Sequence, residues 1–370
     1  MIRTLSELGR RVAYLARNRR EILRLSQLDC NSHPLDRRKT ERQRYIDFLY
    51  MTLRWGEPSA LYYAQQVDLN GRNVRKDFLP YQHFRRIRDS HNRNGVQGRT
   101  FNYVCLLQDK LVFERYFSST GVPTAPILGV VKDGLFSTVP TNSSASRDFW
   151  VWGQEKCARQ ALFCKPQDGI KGDGVFKLEF AEGRAFVNDV AVTRQELLKK
   201  FGRSYLVQRL IPQHPQIARF HPESLNTLRM ITFSADGEIE LFLTYLRMGA
   251  GGRVNDNNNE SRAAVRVDAE TGRLYDTGFA IHGDEPVLAA EHPTTGCKFL
   301  GQEIPYFGRC RELAISAHRQ LPGLLSVGWD IAITPDGPLL LEGNDDWGAT
   351  IAMWLMPNFR EQFMARTWKR

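Results

Sequence analysis

The chain has 370 residues, 42% of them hydrophobic and 25% charged, a balance typical of a soluble protein with room for two or three domains and a sizeable core. No apolar run reaches the ~20 residues of a membrane span, and the charged opening "MIRTLSELGRRVAYLARNRR" is unlike a secretory signal. The net charge of +10 sits in the first quarter: residues 1–100 carry 21 Lys and Arg against 10 Asp and Glu, which sets off a basic N-terminal region suited to an anionic partner. The six cysteines form no CxxC pair, so a reduced cytoplasmic protein without a zinc site is the simplest expectation. The inner membrane surface is a second location open to the basic region.

Leu5, Leu8, Val12, Leu15, Ile22 and Leu25 recur mostly at helical spacings, with Arg10, Arg11, Arg17, Arg19, Arg20 and Arg24 between them. This predicts an amphipathic helix. Packing on the body is its plain reading; binding anionic lipid or nucleic acid is the other. Residues 38–55 and 56–66 also read as helical, 68–73 as a turn, and a further helix begins after Pro80 and stops near Gly95.

From about residue 100 strands and helices alternate. "QDKLVFERYFSSTG" (108–121) predicts a helix closed by Gly121, and "PTAPILGVV" (123–131) a strand. Residues 135–160 read as loop and a short helix. "ALFCKP" (161–166) is a strand ending on Lys165, followed by a loop with Gly169, Gly172 and Gly174. Glycines let backbone N–H groups approach phosphate oxygens, and the lysine adds charge. The spacing matches neither a Walker A loop nor a dinucleotide fingerprint.

"VFKLEF" and "RAFVNDVAV" read as strands, and "TRQELLKKFG" as a helix capped by Thr193. "SYLVQRLIPQH" (204–214) is a strand with polar Gln208 inside it. "NTLRMITFSADGEIELFLTYLRMG" (226–249) predicts a hairpin carrying Arg229 and Arg247 among apolar neighbours. Such arginines need anions, whether a ligand or local carboxylates. A polar loop, two strands and a helix over 309–322 follow.

The helix leads to "GWDIAITPDGPLLLEGNDDWG", two apolar runs around a turn. A three-residue loop, Pro335-Asp336-Gly337, would place Thr334 opposite Pro338 and Asp330 opposite Glu342. Asn344 then shares their face. Opposed carboxylates repel unless a cation lies between them, and an all-oxygen set favours Mg²⁺, Mn²⁺ or Ca²⁺. A two-residue loop would instead turn Asp330 to the other face.

Together these pieces resemble the ATP-grasp superfamily over about residues 100–358. The wording of the last motif, with "HPESLNTLRM" and "DFLPYQHFRRIRDSHNRN", is most similar to the sugar-transfer-associated ATP-grasp proteins; other segments are similar to ribosomal-protein glutamate ligases. The resemblance implies an α+β ATP-grasp fold, two subdomains sandwiching ATP, preceded by the basic helices. It divides the chain into 1–100, a part with the phosphate-covering loop over 101–206, and a part with the metal-binding hairpin over 207–370. It implies that Lys110, Lys165, Gly169, Gly172 and Gly174 contact ATP phosphates, and that Gln208 and the backbone of Arg209 and Leu210 meet the adenine. Arg229 and Arg247 become catalytic, Asn257 a substrate contact, and Asp330, Glu342 and Asn344 ligands of Mg²⁺, with Mn²⁺ as a substitute. Where relatives carry Gly-Gly after that Asn, this chain has Ser261-Arg262.

The expected activity is ligation of a small-molecule or peptide carboxylate to an amine or thiol through an acyl phosphate. The family's association with surface-polysaccharide genes suggests an amino acid joined to a sugar or peptide. A phosphotransferase on the same scaffold, or a polyanion- or membrane-surface-binding protein with a nucleotide fold, are the alternatives.

Overall fold

The computed structural model describes residues 5–29, 37–94, 102–138, 146–157, 160–168, 174–235, 237–251, 262–282 and 285–367. The expected first helix is two, Leu5–Arg17 and Arg19–Ser26, broken at Asn18. They pack on Glu41–Trp55, which opens with a capping box between Thr40 and Gln43 and ends at left-handed Gly56. Helix Tyr81–Asn94 starts directly after Pro80, as the sequence predicts.

The first sheet comprises β1 (Ile127–Lys132), β2 (Leu135–Thr138), β3 (Arg147–Asp148), β4 (Leu162–Pro166), β5 (Phe176–Ala181), β6 (Arg184–Val187), β7 (Val190–Val192) and β8 (Tyr205–Arg209). The order is β3-β2-β1-β8-β4-β5-β6-β7. Two details differ from the sequence expectation. Residues 135–138, expected as loop, pair with β1. "RAFVNDVAV" is two strands, because Asn188 and Asp189 both take positive φ and close a tight hairpin. An aromatic core, including Phe136, Phe149, Trp152, Phe180 and Phe201, lies between this sheet and helices Phe149–Lys156 and Arg194–Lys200.

The second sheet comprises β9 (Thr227–Ala235), β10 (Glu238–Gly249), β11 (Arg262–Val267), β12 (Leu274–His282), β13 (Glu285–Ala289), β14 (Ser326–Thr334) and β15 (Gly337–Asn344). Its order is β13-β12-β11-β10-β9-β14-β15. Apolar clusters cover both faces. Leu228, Met230, Val327, Trp329 and Ile331 pack towards helices Lys110–Ser119 and Phe307–Arg319. Ile231, Phe233 and Tyr245 pack towards the N-terminal helices and the C-terminal pair Thr350–Leu355 and Phe359–Thr367. The N-terminal helices therefore share one core with the body. Pleat alternation places Arg229, Arg247 and Asp330 on this second face, beyond the part the helices cover.

Candidate active site

The turn that builds the site differs from its expected form. Thr334 pairs with Gly337, so the loop has two residues, Pro335 and Asp336. That alone would turn Asp330 to the other face. A bulge on β15 restores the register: Ile331 pairs with Leu340, yet Asp330 pairs with Glu342, with Leu341 as the extra residue. The two carboxylates end opposite each other, and Asn344 Nδ2 lies 3.5 Å from Glu342 Oε1.

Asp330 is buried at 4% exposure. Arg229, its cross-strand neighbour on β9, grips it with a fork: Nε donates to Oδ1 at 2.6 Å and Nη2 to Oδ2 at 2.8 Å. Arg247 on β10 approaches the same two oxygens at 3.3 and 3.4 Å. Gly328 makes room for this fork, since a Cβ there would stand 3.0 Å from Arg229 Nη1 and 2.7 Å from Trp347 Cβ. The charge of Asp330 is thus met by guanidinium. Burial would raise its carboxyl, but Arg229 and Arg247 outweigh burial and hold it below the usual range.

Glu342 behaves oppositely. Burial, then the charge of Asp330 and a hydrogen bond with it, push its carboxyl up, while Lys165 and Lys110 oppose the rise. Lys165, at the end of β4, is half-buried. Burial brings its ammonium down to about 8 against the pull of Glu342, with Lys110 adding to the drop and Glu114 opposing it. The charges of Lys165 and Lys110 thus bear on Glu342.

Several connections set this geometry. Asp109 caps the helix that begins at Lys110, accepting from the N–H groups of Leu111 and Val112 at 2.9 Å. Its second oxygen accepts from Gln167 Nε2 at 2.8 Å, tying that helix end to the loop after Lys165. Gln208 Nε2 donates to the Ala125 carbonyl at 2.7 Å. The Leu340 N–H donates to the Pro123 carbonyl at 2.8 Å, so residues 123–125 join the Gln208 strand to β15. Gly174 has φ +77° and lies against Tyr205, whose Oη would stand 2.9 Å from a Cβ there. Gly169, Gly172 and Asn257, with Ser261, fall outside the described residues. The Leu210 N–H is engaged with the Ala161 carbonyl at 3.0 Å, so an adenine contact through that N–H, rather than through the carbonyl, would require the bond to be exchanged.

Asp109, Glu114, Gln167 and the 123–125 connection are absent from the sequence-based site. Asp109 was readable as a helix cap; the others depend on contacts between distant segments. Asn92 is a further case. Its Nδ2 donates to the Ser326 and Asp345 carbonyls at 2.8 and 2.9 Å, and its Oδ1 accepts from Leu325 and Ser326 N–H at 3.0 and 3.1 Å.

The donor set suits a hard cation: carboxylate oxygens of Asp330 and Glu342 and the amide oxygen of Asn344. The raised Glu342 carboxyl beside a charged Asp330 is a pairing that such a cation relieves. Among the described residues no group of three His, Cys, Asp or Glu gathers as metal ligands. A cation would share Asp330 with Arg229.

No curated protein matches the chain by sequence. Solved structures similar to it include N5-carboxyaminoimidazole ribonucleotide synthetase from Thermotoga maritima: 14% identity, TM-score 0.37, 70% of this chain and 48% of that one. The carboxyaminoimidazole ribonucleotide synthase of Aspergillus clavatus, complexed with ATP, shares 13% identity over 65% of this chain and 45% of its own, with TM-score 0.39. D-Alanine–D-alanine ligase from Helicobacter pylori shares 10% over 72% and 61%, with TM-score 0.41. The chain thus spans less than half of either synthetase. The family model described as sugar-transfer associated ATP-grasp matches residues 98–360, which contain both sheets and every charged group described above. This chain belongs to the sugar-transfer associated ATP-grasp family.

Proposed function

We propose that the protein is an ATP-dependent ligase that joins a carboxylate to an amine, or to a thiol, through an acyl phosphate. The observation that carries this reading is the buried Asp330, gripped by Arg229 and opposite Glu342, whose raised carboxyl the charges of Lys165 and Lys110 oppose. In this reading Lys110 and Lys165 neutralise phosphate, and the hairpin supplies the ligands of a hard cation. Membership of the ATP-grasp family supports ATP as the nucleotide, and the ligases among the similar solved structures share its reaction class only by name.

In the first step a substrate carboxylate oxygen attacks the γ-phosphorus. The bond to the β–γ bridging oxygen breaks, and ADP leaves. In the second, the amine nitrogen attacks the acyl carbon, phosphate departs with the electrons of the C–O bond, and the amine proton is released. The protein's task is positioning and charge neutralisation. Lys110 and Lys165 offset phosphate charge, and Gly174, with Gly169 and Gly172, borders the phosphates and excludes water. Gln208, with the Arg209 and Leu210 backbone, orients the base, and Asn257 contacts the acceptor. Arg229 is committed to Asp330 and holds it. Arg247, 3.3 Å from Asp330, is assigned to a phosphoryl oxygen in this reading. Mg²⁺ held by Asp330, Glu342 and Asn344, or Mn²⁺ in its place, would supply further charge neutralisation at the phosphates.

The test is ADP release by the purified chain with ATP and Mg²⁺ against amino acids, peptides and amino sugars. Free phosphate and a condensed product are expected, both lost with EDTA. A phosphorylated product without free phosphate would replace this reading with a kinase.

A further inference from the structure

Lys110 and Lys165 are carried by different sheets. Helix Lys110–Ser119 is seated on the second: the Phe117 ring meets Trp329 edge-on at 5.8 Å, and Tyr116 Oη donates to the Gln320 carbonyl at 3.1 Å. Lys165 stands on β4 of the first. The chain enters the first sheet through residues 123–126 and leaves it through 210–214. Both crossings are bonded to the β14–β15 hairpin, by the Leu340 N–H to the Pro123 carbonyl and by the His214 N–H to the Ile333 carbonyl, each at 2.8 Å. Gln208, which donates to the Ala125 carbonyl, sits beside the first of these crossings.

The tie near the lysines is a side-chain pair. β4 pairs with β8 through Lys165–Leu206 and Pro166–Tyr205, and the Gln167 N–H continues the ladder by donating to the Ser204 carbonyl at 3.0 Å. Strand alternation therefore puts Gln167 on the same face as Lys165, about 7 Å further along. Gln167 Nε2 donates to Asp109 Oδ2 at 2.8 Å, while Asp109 Oδ1 caps the helix that begins with Lys110. The residue next to one lysine is thus bonded to the residue two beyond the other.

Two ammonium groups brought together repel. Burial and then the charge of Lys110 lower the Lys165 ammonium. Without a tie the two sheets would relieve that repulsion by parting, and an arriving triphosphate would have to close them again. A bond already made across the gap holds the like charges in place beforehand, so the phosphates meet a formed site. We propose that Asp109 and Gln167 are positioning residues, whose hydrogen bond holds Lys165 against Lys110 at the spacing one polyphosphate bridges. This rests on the reading of the two lysines as phosphate contacts.

Three variants test it. Gln167→Leu removes the bond and leaves the helix cap. Gln167→Glu sets a second carboxylate against Asp109. Adding Asp109→Asn to Gln167→Glu reverses the bond: the new amide donates to the new carboxylate, its oxygen still caps the helix, and the pair keeps its native net charge. The measurement is calorimetric titration of the full chain with ATP and with AMP, each with Mg²⁺ and no acceptor. Both single variants are expected to weaken ATP about tenfold and AMP less than about twofold, and the double variant to return ATP binding to within about threefold of the native chain. An unchanged ATP affinity in Gln167→Leu overturns the proposal. So does an equal loss for AMP, which would mark general damage to the site, or a double variant that binds ATP no tighter than Gln167→Glu alone. Binding is read without turnover, which keeps this test separate from that of the ligase reading.

Discussion

In the first sheet the ionisable site group sits near a strand end: Lys165, half-buried, is the penultimate residue of β4. In the second sheet the charges lie in the interior. β14 is buried along its whole length, and Asp330 sits in its middle between Arg229 and Glu342. A marginal cation can be lost with little cost to the fold, because solvent or ligand can replace its partners. An interior carboxylate holding two guanidiniums cannot. One sheet thus offers an adjustable phosphate contact, and the other a fixed charge frame.

The sharpest test of this contrast is Asp330→Ala. It leaves Arg229 and Arg247 buried without their shared anion, and should lower unfolding free energy by about 3–5 kcal/mol in urea melts, with loss of activity. Lys165→Ala should cut ADP release about 10²-fold yet leave the urea midpoint nearly unmoved. If both variants lose equal stability, the contrast between the sheets fails. Asn92→Ala removes four hydrogen bonds between helix Tyr81–Asn94 and the ends of the β14–β15 hairpin. Its expected cost is about 2 kcal/mol in the same melts.

The smallest effect is acid sensitivity. His318 is buried against Thr232 and the Leu324 carbonyl, and burial pushes its imidazole down to about 4 from 6.5. The unfolded chain therefore takes up the proton first as pH falls. The stability of this neutral histidine is whole above 6.5 and drains away towards 4. His221 and His292, also lowered by burial, act in the same direction. A loss of roughly 1 kcal/mol from His318 is expected by about pH 5.5, measured by urea melts across pH, and His318→Gln should flatten the slope.

Much of the fold was legible because local signals agreed. The Thr193 capping box, the helix after Pro80 and the "SADGE" hairpin each depend on neighbours within a few residues. The pairing of Asp330 with Glu342 was also legible, but through the wrong turn: a two-residue loop and a bulge at Leu341 together produce the register that a three-residue loop would have given. Strand patterns report faces, and two opposite shifts cancel in that record. The arginine fork on Asp330 was open in the sequence only as one of two partners for Arg229. Which anion fills it depends on β9 lying beside β14, a contact across about a hundred residues. The Asn92 clamp left no local trace, since an asparagine near a helix end reads equally as a solvated residue.

That clamp has a mechanical consequence. Ser326 opens β14, and Asp345 directly follows β15. One amide on helix Tyr81–Asn94 thus pins both open ends of the hairpin whose middle bears Asp330 and Glu342. Arg88 from the same helix fastens the Trp347 carbonyl just beyond. The amino-terminal helices are thereby fastened to the two strand ends that flank the paired acids.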